Sequence, residues 1–85
     1  MKKITIYSSI ICPYCIGAKK IFEKLNLRYQ EILVDGDPVL RNEMRVKSNG
    51  KNTVPQIFFD DTLIGGFDEL NSIFQKGKLK DFLET

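Results

Sequence analysis

Hydrophobic and polar residues follow two different periods along this chain, and the change of period marks its elements. Residues 3–7 alternate isoleucine with Thr and Tyr, a period of two that predicts a short strand. From Pro13, apolar residues recur at helical spacing and predict an amphipathic helix that ends near Asn26, with an apolar face of Ala18, Ile21, Phe22 and Leu25. Proline suits the first helical position because its missing N–H would have no partner there.

The next segment predicts a second strand and a second helix. Residues 28–34 are rich in β-formers, and Asp35-Gly36 ends the strand. Asp37 is placed to cap a helix that has Pro38 at its first position and ends near residues 49–50. The inward-facing residues of this helix are predicted to be Leu40 and Met44.

The last third predicts a hairpin followed by two helices. Residues 56–59 and 62–64 are the strands, with Asp60-Asp61 as a two-residue turn. Gly65-Gly66 breaks the second strand before a helix that begins near residues 67–68 and stops at Gly77, and a short helix follows over about 78–84. The first helix is expected to bury Leu70, Ile73 and Phe74, and the second to pack Leu79, Phe82 and Leu83.

The order β-α-β-α-β-β-α-α predicts a single α/β domain over residues 1–85, without repeats or linkers. The helical crossover between the first two strands implies that they are parallel, with helices on both faces of the sheet.

Composition and charge exclude several function classes. Apolar content of 42% and charged content of 28% are typical of an ordinary soluble globular protein. The 13 basic and 11 acidic residues are interspersed, so no basic block indicates nucleic acid as a partner. No stretch approaches the ~20 apolar residues that span a bilayer. Polar residues interrupt the apolar stretch that follows Lys2-Lys3, so we expect no signal peptide and a cytoplasmic or similarly reducing compartment.

The run Cys12-Pro13-Tyr14-Cys15 carries the chemistry. It places Cys12 where the chain enters the first helix, and there unpaired backbone N–H groups and the helix dipole favour a thiolate. We therefore predict a thiol–disulfide exchange centre in which Cys12 is the nucleophile and the more buried Cys15 resolves the mixed disulfide. A structural disulfide is the main alternative. Half a zinc site is the other, but one chain without histidine or a second cysteine pair cannot supply four ligands, so no metal is expected.

Three motifs in this order resemble a dithiol glutaredoxin over residues 3–83. They are Cys12-Pro13-Tyr14-Cys15 followed by Ala18-Lys19, then Thr53-Val54-Pro55-Gln56-Ile57-Phe58, then Ile64-Gly65-Gly66-Phe67-Asp68-Glu69-Leu70. The resemblance implies the thioredoxin fold, a four-stranded mixed sheet flanked by helices. It implies glutathione as co-substrate with no tightly bound cofactor, a monomer, and reduction of protein disulfides and glutathionylated proteins.

The resemblance also implies a glutathione site, made of Tyr14, Lys51, Thr53, Val54, Pro55, Gly66, Phe67 and Asp68. The motif match predicts a cis Val54–Pro55 bond, which would turn the Val54 backbone outward to pair with glutathione. A trans proline that only opens a strand is the alternative. Backbone N–H groups at residues 67–68 would meet a carboxylate, and the Asp68 side chain could accept from an ammonium group, cap its own helix, or do both. The Tyr14 ring is expected either to line the glutathione site or simply to pack against it.

One departure from the family bears on this site. Many glutaredoxins carry a lysine three residues before the first cysteine, for the glycyl carboxylate of glutathione, and this chain has Ser9 there. Lys51 is then the substitute cation, unless it is an ordinary solvated loop lysine.

Three other functions remain open at this stage. Some glutaredoxins bridge an iron–sulfur cluster between two subunits, although Pro13 makes the motif resemble the catalytic subtype. A thioredoxin-like protein reduced by a flavoprotein reductase is more distant, because thioredoxins lead one to expect a tryptophan before the first cysteine and this chain has none. A passive binding module with a structural disulfide is the third.

Overall fold

The computed structural model describes residues 1–84, so Thr85, the last residue of the predicted domain, lies outside the described range. The predicted order of elements is confirmed. The elements are β1 (Ile4–Ser8), α1 (Pro13–Lys24), β2 (Gln30–Leu33), α2 (Pro38–Lys47), β3 (Gln56–Phe59), β4 (Thr62–Gly65), α3 (Phe67–Gln75) and α4 (Leu79–Glu84).

The strands form one mixed sheet in the order β2-β1-β3-β4. β1 pairs with β2 in parallel, as the helical crossover predicts, and with β3 antiparallel. The hairpin of β3 and β4 completes the sheet, with a register irregularity between Ile57 and Phe58. Because β1 has neighbours on both sides, the segment that follows its carboxyl end lies between residues delivered by β2 and by β3.

Helices cover both faces of this sheet, as predicted. On one face, the strands pack against α1, α3 and α4 in a cluster whose buried members include Ile4, Ile6, Phe22, Ile57, Phe59, Leu70 and Leu83. On the other face, α2 packs through Met44 in a smaller cluster with Tyr7, Val34 and Phe58. Alternating residues of β1 thus enter different clusters, as the period of two requires.

Element ends and a few side chains differ from the sequence prediction. β2 begins at Gln30 rather than at residue 28, and β4 continues through Gly65, which the prediction treats as a break. Ile73 and Phe74 are only partly buried against the core.

The prediction that Phe82 packs inward is wrong, because its side chain is 43% exposed. Leu79 and Leu83, four residues apart in the short α4, are the buried pair, so Phe82 lies beside the inward face.

No helix within residues 1–84 is both long enough and apolar enough to cross a membrane.

We expect Tyr7→Phe to lower the free energy of unfolding by about 1–2 kcal/mol, because the buried Tyr7 hydroxyl donates a hydrogen bond of 2.6 Å to Glu43 of α2. Burial, reinforced by Glu43, raises the pKa of Tyr7. The contribution of this hydrogen bond to the free energy of unfolding is therefore fully present below about pH 10, the pKa of tyrosine in the unfolded chain, and is lost as the pH rises above that value. Urea unfolding at pH 7 and pH 10.5 measures both effects.

Tyr29→Phe is the matched control, since Tyr29 makes a similar bond of 2.9 Å to Glu23 at the exposed surface. Water can replace that bond, so the control should lose less stability at pH 7. Equal losses in the two variants would contradict a special role for the Tyr7 bond.

Candidate redox-active site

Cys12 is the N-cap residue of α1. Its backbone is extended, and its sulfur accepts a hydrogen bond of 3.2 Å from the Cys15 backbone N–H. Its thiol lies 3.7 Å from the Val54 carbonyl, to which it donates. The sulfur is therefore held at the positive end of the helix, where an N–H group without a helical partner can stabilise a thiolate. This is the position that the sequence predicts for Cys12.

Cys15 lies one turn into α1 and is completely buried, whereas Cys12 keeps 9% of its surface exposed. Both are free thiols. Burial, followed by the interaction with Cys12, raises the pKa of Cys15. The predicted difference in burial is confirmed, because Cys12 keeps a small exposed surface and Cys15 keeps none.

The loop between β1 and α1 is fixed by Asp35, a residue that the sequence identifies only as the end of a strand. The Ser9 hydroxyl donates to one oxygen of this carboxylate at 2.6 Å, and the Ile10 backbone N–H donates to the other at 2.8 Å. These bonds hold the pKa of Asp35 below its usual value. Ser9 is buried, so its side chain is directed into the protein and not toward a ligand.

The Val54–Pro55 peptide bond is cis, as predicted. Thr53, the residue before this peptide unit, is held by Gln56, whose side-chain amide donates to the Thr53 carbonyl at 2.9 Å. The contact between the Val54 carbonyl and the Cys12 thiol places this backbone directly beside the nucleophile.

The start of α3 corrects one interpretation. The N-cap residue is Gly66, and the backbone N–H of Gly66 donates to the Glu69 side chain at 2.7 Å. Asp68 lies in the first turn and is exposed, so the interpretation that Asp68 caps its own helix is wrong. Because Glu69 provides the helix-capping contact, the Asp68 carboxylate is available to a ligand.

A close contact between α1 and α3 fixes the ring of Phe67. A Cβ atom at Gly17 would lie 2.9 Å from the Cε1 atom of this ring, so a larger residue there would require the ring to shift. The Phe67 ring in turn lies 5.9 Å from the Tyr14 ring, measured between centroids. Tyr14 therefore packs on Phe67 on one side while 63% of its surface remains exposed.

Seven of the eight predicted glutathione-site residues line one shallow cavity of about 160 Å³. The lining residues are Tyr14, Thr53, Val54, Pro55, Gly66, Phe67, Asp68 and Glu69. Glu69 is the one that sequence reasoning missed, although its position three residues after a helix N-cap is the usual signal for a capping glutamate. Lys51 is exposed and does not line the cavity.

Two other features of the described residues bear on the site. A larger groove of about 720 Å³ lies around the amino-terminal ends of β1 and β2, and no predicted site residue lines it. Within residues 1–84, no group of three or more His, Cys, Asp or Glu side chains is arranged to hold a metal ion.

Comparisons with known proteins agree on one family. The family model described as glutaredoxin matches residues 4–64. A glutaredoxin of Pseudomonas aeruginosa is 42% identical over 85 residues, which cover 100% of both chains. The solution structure of a Brucella melitensis glutaredoxin superposes with a TM-score of 0.83 at 38% identity, covering 98% of this chain and 89% of that one. A buckwheat glutaredoxin–glutathione complex gives a TM-score of 0.84 at 30% identity, covering 98% and 77%.

We expect iodoacetamide to modify only Cys12 when the reduced, folded protein is treated at pH 7. Cys15 is buried and its pKa is raised, so it presents no accessible thiolate. Mass spectrometry of the intact protein should show one adduct, and peptide mapping should place it on Cys12. Cys12→Ser should take up no adduct until the protein is unfolded, and two adducts formed at similar rates would contradict the predicted difference.

Proposed function

The chain belongs to the glutaredoxin family, and on that premise we propose that Cys12 is the nucleophile and Cys15 the resolving thiol of this glutathione-dependent thiol–disulfide oxidoreductase. The observation that carries the assignment is the position of the Cys12 sulfur. This sulfur accepts a hydrogen bond from the Cys15 N–H at the start of α1. It also lies beside the carbonyl of Val54, which lines the cavity. A disulfide that enters this cavity lies next to Cys12, the more exposed of the two thiols, whose sulfur accepts a backbone N–H at a helix start.

The reaction proceeds through a mixed disulfide. The Cys12 thiolate attacks one sulfur of the substrate disulfide, a bond forms to that sulfur, and the other substrate sulfur leaves as a thiolate that takes up a proton. Cys15 then attacks the Cys12 sulfur and releases the bound half of the substrate as a thiol, or, when that bound half is glutathione, a second glutathione attacks the glutathionyl sulfur, releases the Cys12 thiolate and leaves as glutathione disulfide. Cys12 and Cys15 end as a disulfide in the first case, and two molecules of glutathione reduce it.

The cavity is suited to glutathione held mainly by backbone groups. The Val54 backbone beside Cys12 would pair with the cysteinyl residue as an added strand. The N–H groups of Phe67 and Asp68, in the first turn of α3, would donate to the γ-glutamyl carboxylate, and the exposed Asp68 carboxylate would accept from its ammonium group. Tyr14 would form the remaining wall. The buckwheat relative, solved as a glutathione complex, supports this assignment.

We further propose that the protein acts as a monomer in the cytoplasm, on disulfide-containing and glutathionylated proteins. Glutathione would be a co-substrate and not a tightly held cofactor. The pair Cys12 and Cys15 stands as a single redox motif and not as part of a cysteine-rich disulfide framework, which supports the assignment to a reducing compartment.

Cys12→Ser should abolish reduction of both protein disulfides and glutathione mixed disulfides, because both reactions begin with attack by Cys12. Cys15→Ser should retain reduction of glutathione mixed disulfides and lose most protein-disulfide reduction, since a neighbouring thiol releases a protein substrate fastest. The two assays are reduction of a glutathionylated peptide and reduction of insulin, each coupled to glutathione reductase. Equal losses for both variants in both assays would show that the two roles are assigned incorrectly.

Lys51→Ala should raise the KM for a glutathionylated peptide by up to several-fold, with kcat little changed. An exposed ion pair contributes only ~0–1 kcal/mol, and the effect should decrease as salt rises. Lys51 lies two residues before Thr53, whereas Ser9 is directed toward Asp35 and supplies no cation.

Lys80→Ala is the charge-matched control, because Lys80 is exposed on α4, which contacts the opposite end of β1. If the two variants have the same KM at every salt concentration, Lys51 is an ordinary loop lysine and takes no part in binding.

A further inference from the structure

Exposed apolar side chains are concentrated around Cys12. Of the residues that the structure describes, nine carry a large apolar side chain that is at least 43% exposed, and four of the nine are Ile10, Ile11, Tyr14 and Ile16. Ile10 and Ile11, which we call the isoleucine pair, are 70% and 83% exposed, and Ile11 directly precedes the nucleophile. Single exposed apolar residues are ordinary, but a group of them beside a reactive side chain indicates a binding surface.

The loop that carries the isoleucine pair is held in place by hydrogen bonds. The Ile10 backbone N–H donates to Asp35 at 2.8 Å, and the Ile11 backbone N–H donates to the Ser9 hydroxyl oxygen at 3.4 Å. Ser9 itself donates to Asp35 and is buried. The polar groups of the loop are therefore paired within the protein, while both isoleucine side chains are exposed to solvent. A partner that contacts the pair does not have to order the loop first, which lowers the entropic cost of binding.

Glutathione in the proposed cavity would leave the isoleucine pair uncovered. The cavity is lined by Tyr14, by residues 53–55 before β3 and by residues 66–69 at the start of α3. The loop of the isoleucine pair is instead tied to Asp35, which follows β2 on the other side of β1. The pair thus flanks Cys12 on the β2 side, and a tripeptide ligand does not account for its exposure.

A polypeptide joined to Cys12 would cover the isoleucine pair. Two cysteines in a disulfide have Cα atoms about 4.4–6.8 Å apart, and the Ile11 Cα lies about 3.8 Å from that of Cys12 across one peptide bond. The residue next to a substrate cysteine is therefore within side-chain reach of Ile11. An apolar side chain at this position would remove both itself and Ile11 from water, whereas a serine or a charged side chain would gain nothing from the contact.

We propose that the isoleucine pair is a docking surface for polypeptide substrates and selects disulfides in which the reacting cysteine has apolar neighbours. This inference rests on the proposed function and names the substrate class of that site, because the pair acts only on a chain that is joined to Cys12. The chemistry of the exchange is unchanged. Glutathione is held in the cavity, and the side chains of a protein substrate are distinguished on the isoleucine pair.

Equilibrium exchange on Cys12 tests this selection without the resolving step. Cys15→Ser protein, the parent for this comparison, is converted to its Cys12–glutathione mixed disulfide and then equilibrated with a peptide thiol. The peptide thiolate attacks the Cys12 sulfur, a disulfide forms between the peptide and Cys12, and glutathione leaves as a thiolate. The two peptides are capped Gly-Leu-Cys-Leu-Gly and Gly-Ser-Cys-Ser-Gly. Acid quenching and mass spectrometry of the intact protein give each exchange constant, which is corrected for the exchange of the same peptide with free glutathione disulfide.

The leucine peptide should have an exchange constant about fivefold to tenfold larger than that of the serine peptide. Combined Ile10→Ser and Ile11→Ser substitutions should remove most of this preference, lowering the leucine constant about fivefold to tenfold and the serine constant less than about twofold. Comparing the two peptides within one variant cancels any change in the Cys12 thiol itself. Val46→Ser is the matched control, because Val46 is 71% exposed on α2, on the opposite face of the sheet from α1, and should leave both constants unchanged.

Equal constants for the two peptides in the parent would overturn the proposal. An equal decrease for both peptides in the double isoleucine variant would also overturn it, because the pair would then act only through the shape of the loop. Binding of the parent to phosphatidylglycerol vesicles that is lost in the double variant, without a preference for the leucine peptide, would assign the surface to a membrane instead. If Cys15→Ser does not fold, initial rates of mixed-disulfide formation in the protein with both cysteines give the same comparison. If Cys12 takes up neither glutathione nor either peptide, the proposed function itself fails.

Discussion

The central position of β1 in the sheet is the constraint on which the site depends. Its parallel pairing with β2 brings Glu31 next to Ser8, the last residue of β1, and Asp35 next to the two residues that follow. Its antiparallel pairing with β3 places Gln56 opposite Tyr7, so the cis Val54–Pro55 segment before β3 arrives beside Cys12. The parallel neighbour thus supplies Asp35, which holds the loop before Cys12, and the antiparallel neighbour is preceded by the Val54 carbonyl that contacts the Cys12 thiol.

The two thiols differ because one helix places them at different depths. Cys12 caps α1 and receives a backbone N–H at its sulfur, while Cys15 is turned into the core one turn later. Helix geometry favours charge at the first sulfur, and burial disfavours charge at the second. A dithiol centre needs this asymmetry, because one thiol must be available for attack while the other is held back until a mixed disulfide has formed.

The second helix terminus in the site is arranged differently from the first. At α3 the cap is supplied by Glu69, which accepts from the Gly66 backbone, and Asp68 remains free at the surface of the cavity. Gly17 of α1 lies against the Phe67 ring of α3, and residues from both helix starts line the same cavity. The cavity thus has a helix start and an exposed carboxylate on one side, and on the other Val54, whose carbonyl contacts Cys12.

The order of the elements and the position of Cys12 at a helix start could be predicted from the sequence, and the grouping of Tyr14 with residues 53–55 and 66–68 is implied by the resemblance of three motifs to the glutaredoxin family. Periodicity and proline at helix starts are local signals. They can be interpreted from the sequence because local backbone preferences largely determine where helices and strands form. The exposure of Phe82, the cap at Glu69, and the hydrogen bonds from Ser9 to Asp35 and from Ser8 to Glu31 could not be predicted. Each depends on which side chains the strand pairings and helix contacts bring together. In the linear sequence, a polar side chain has many possible hydrogen-bond partners. Only the register of β1 against β2 and the packing of α1 over them selects one partner, because a hydrogen bond requires its two atoms to lie within about 3 Å.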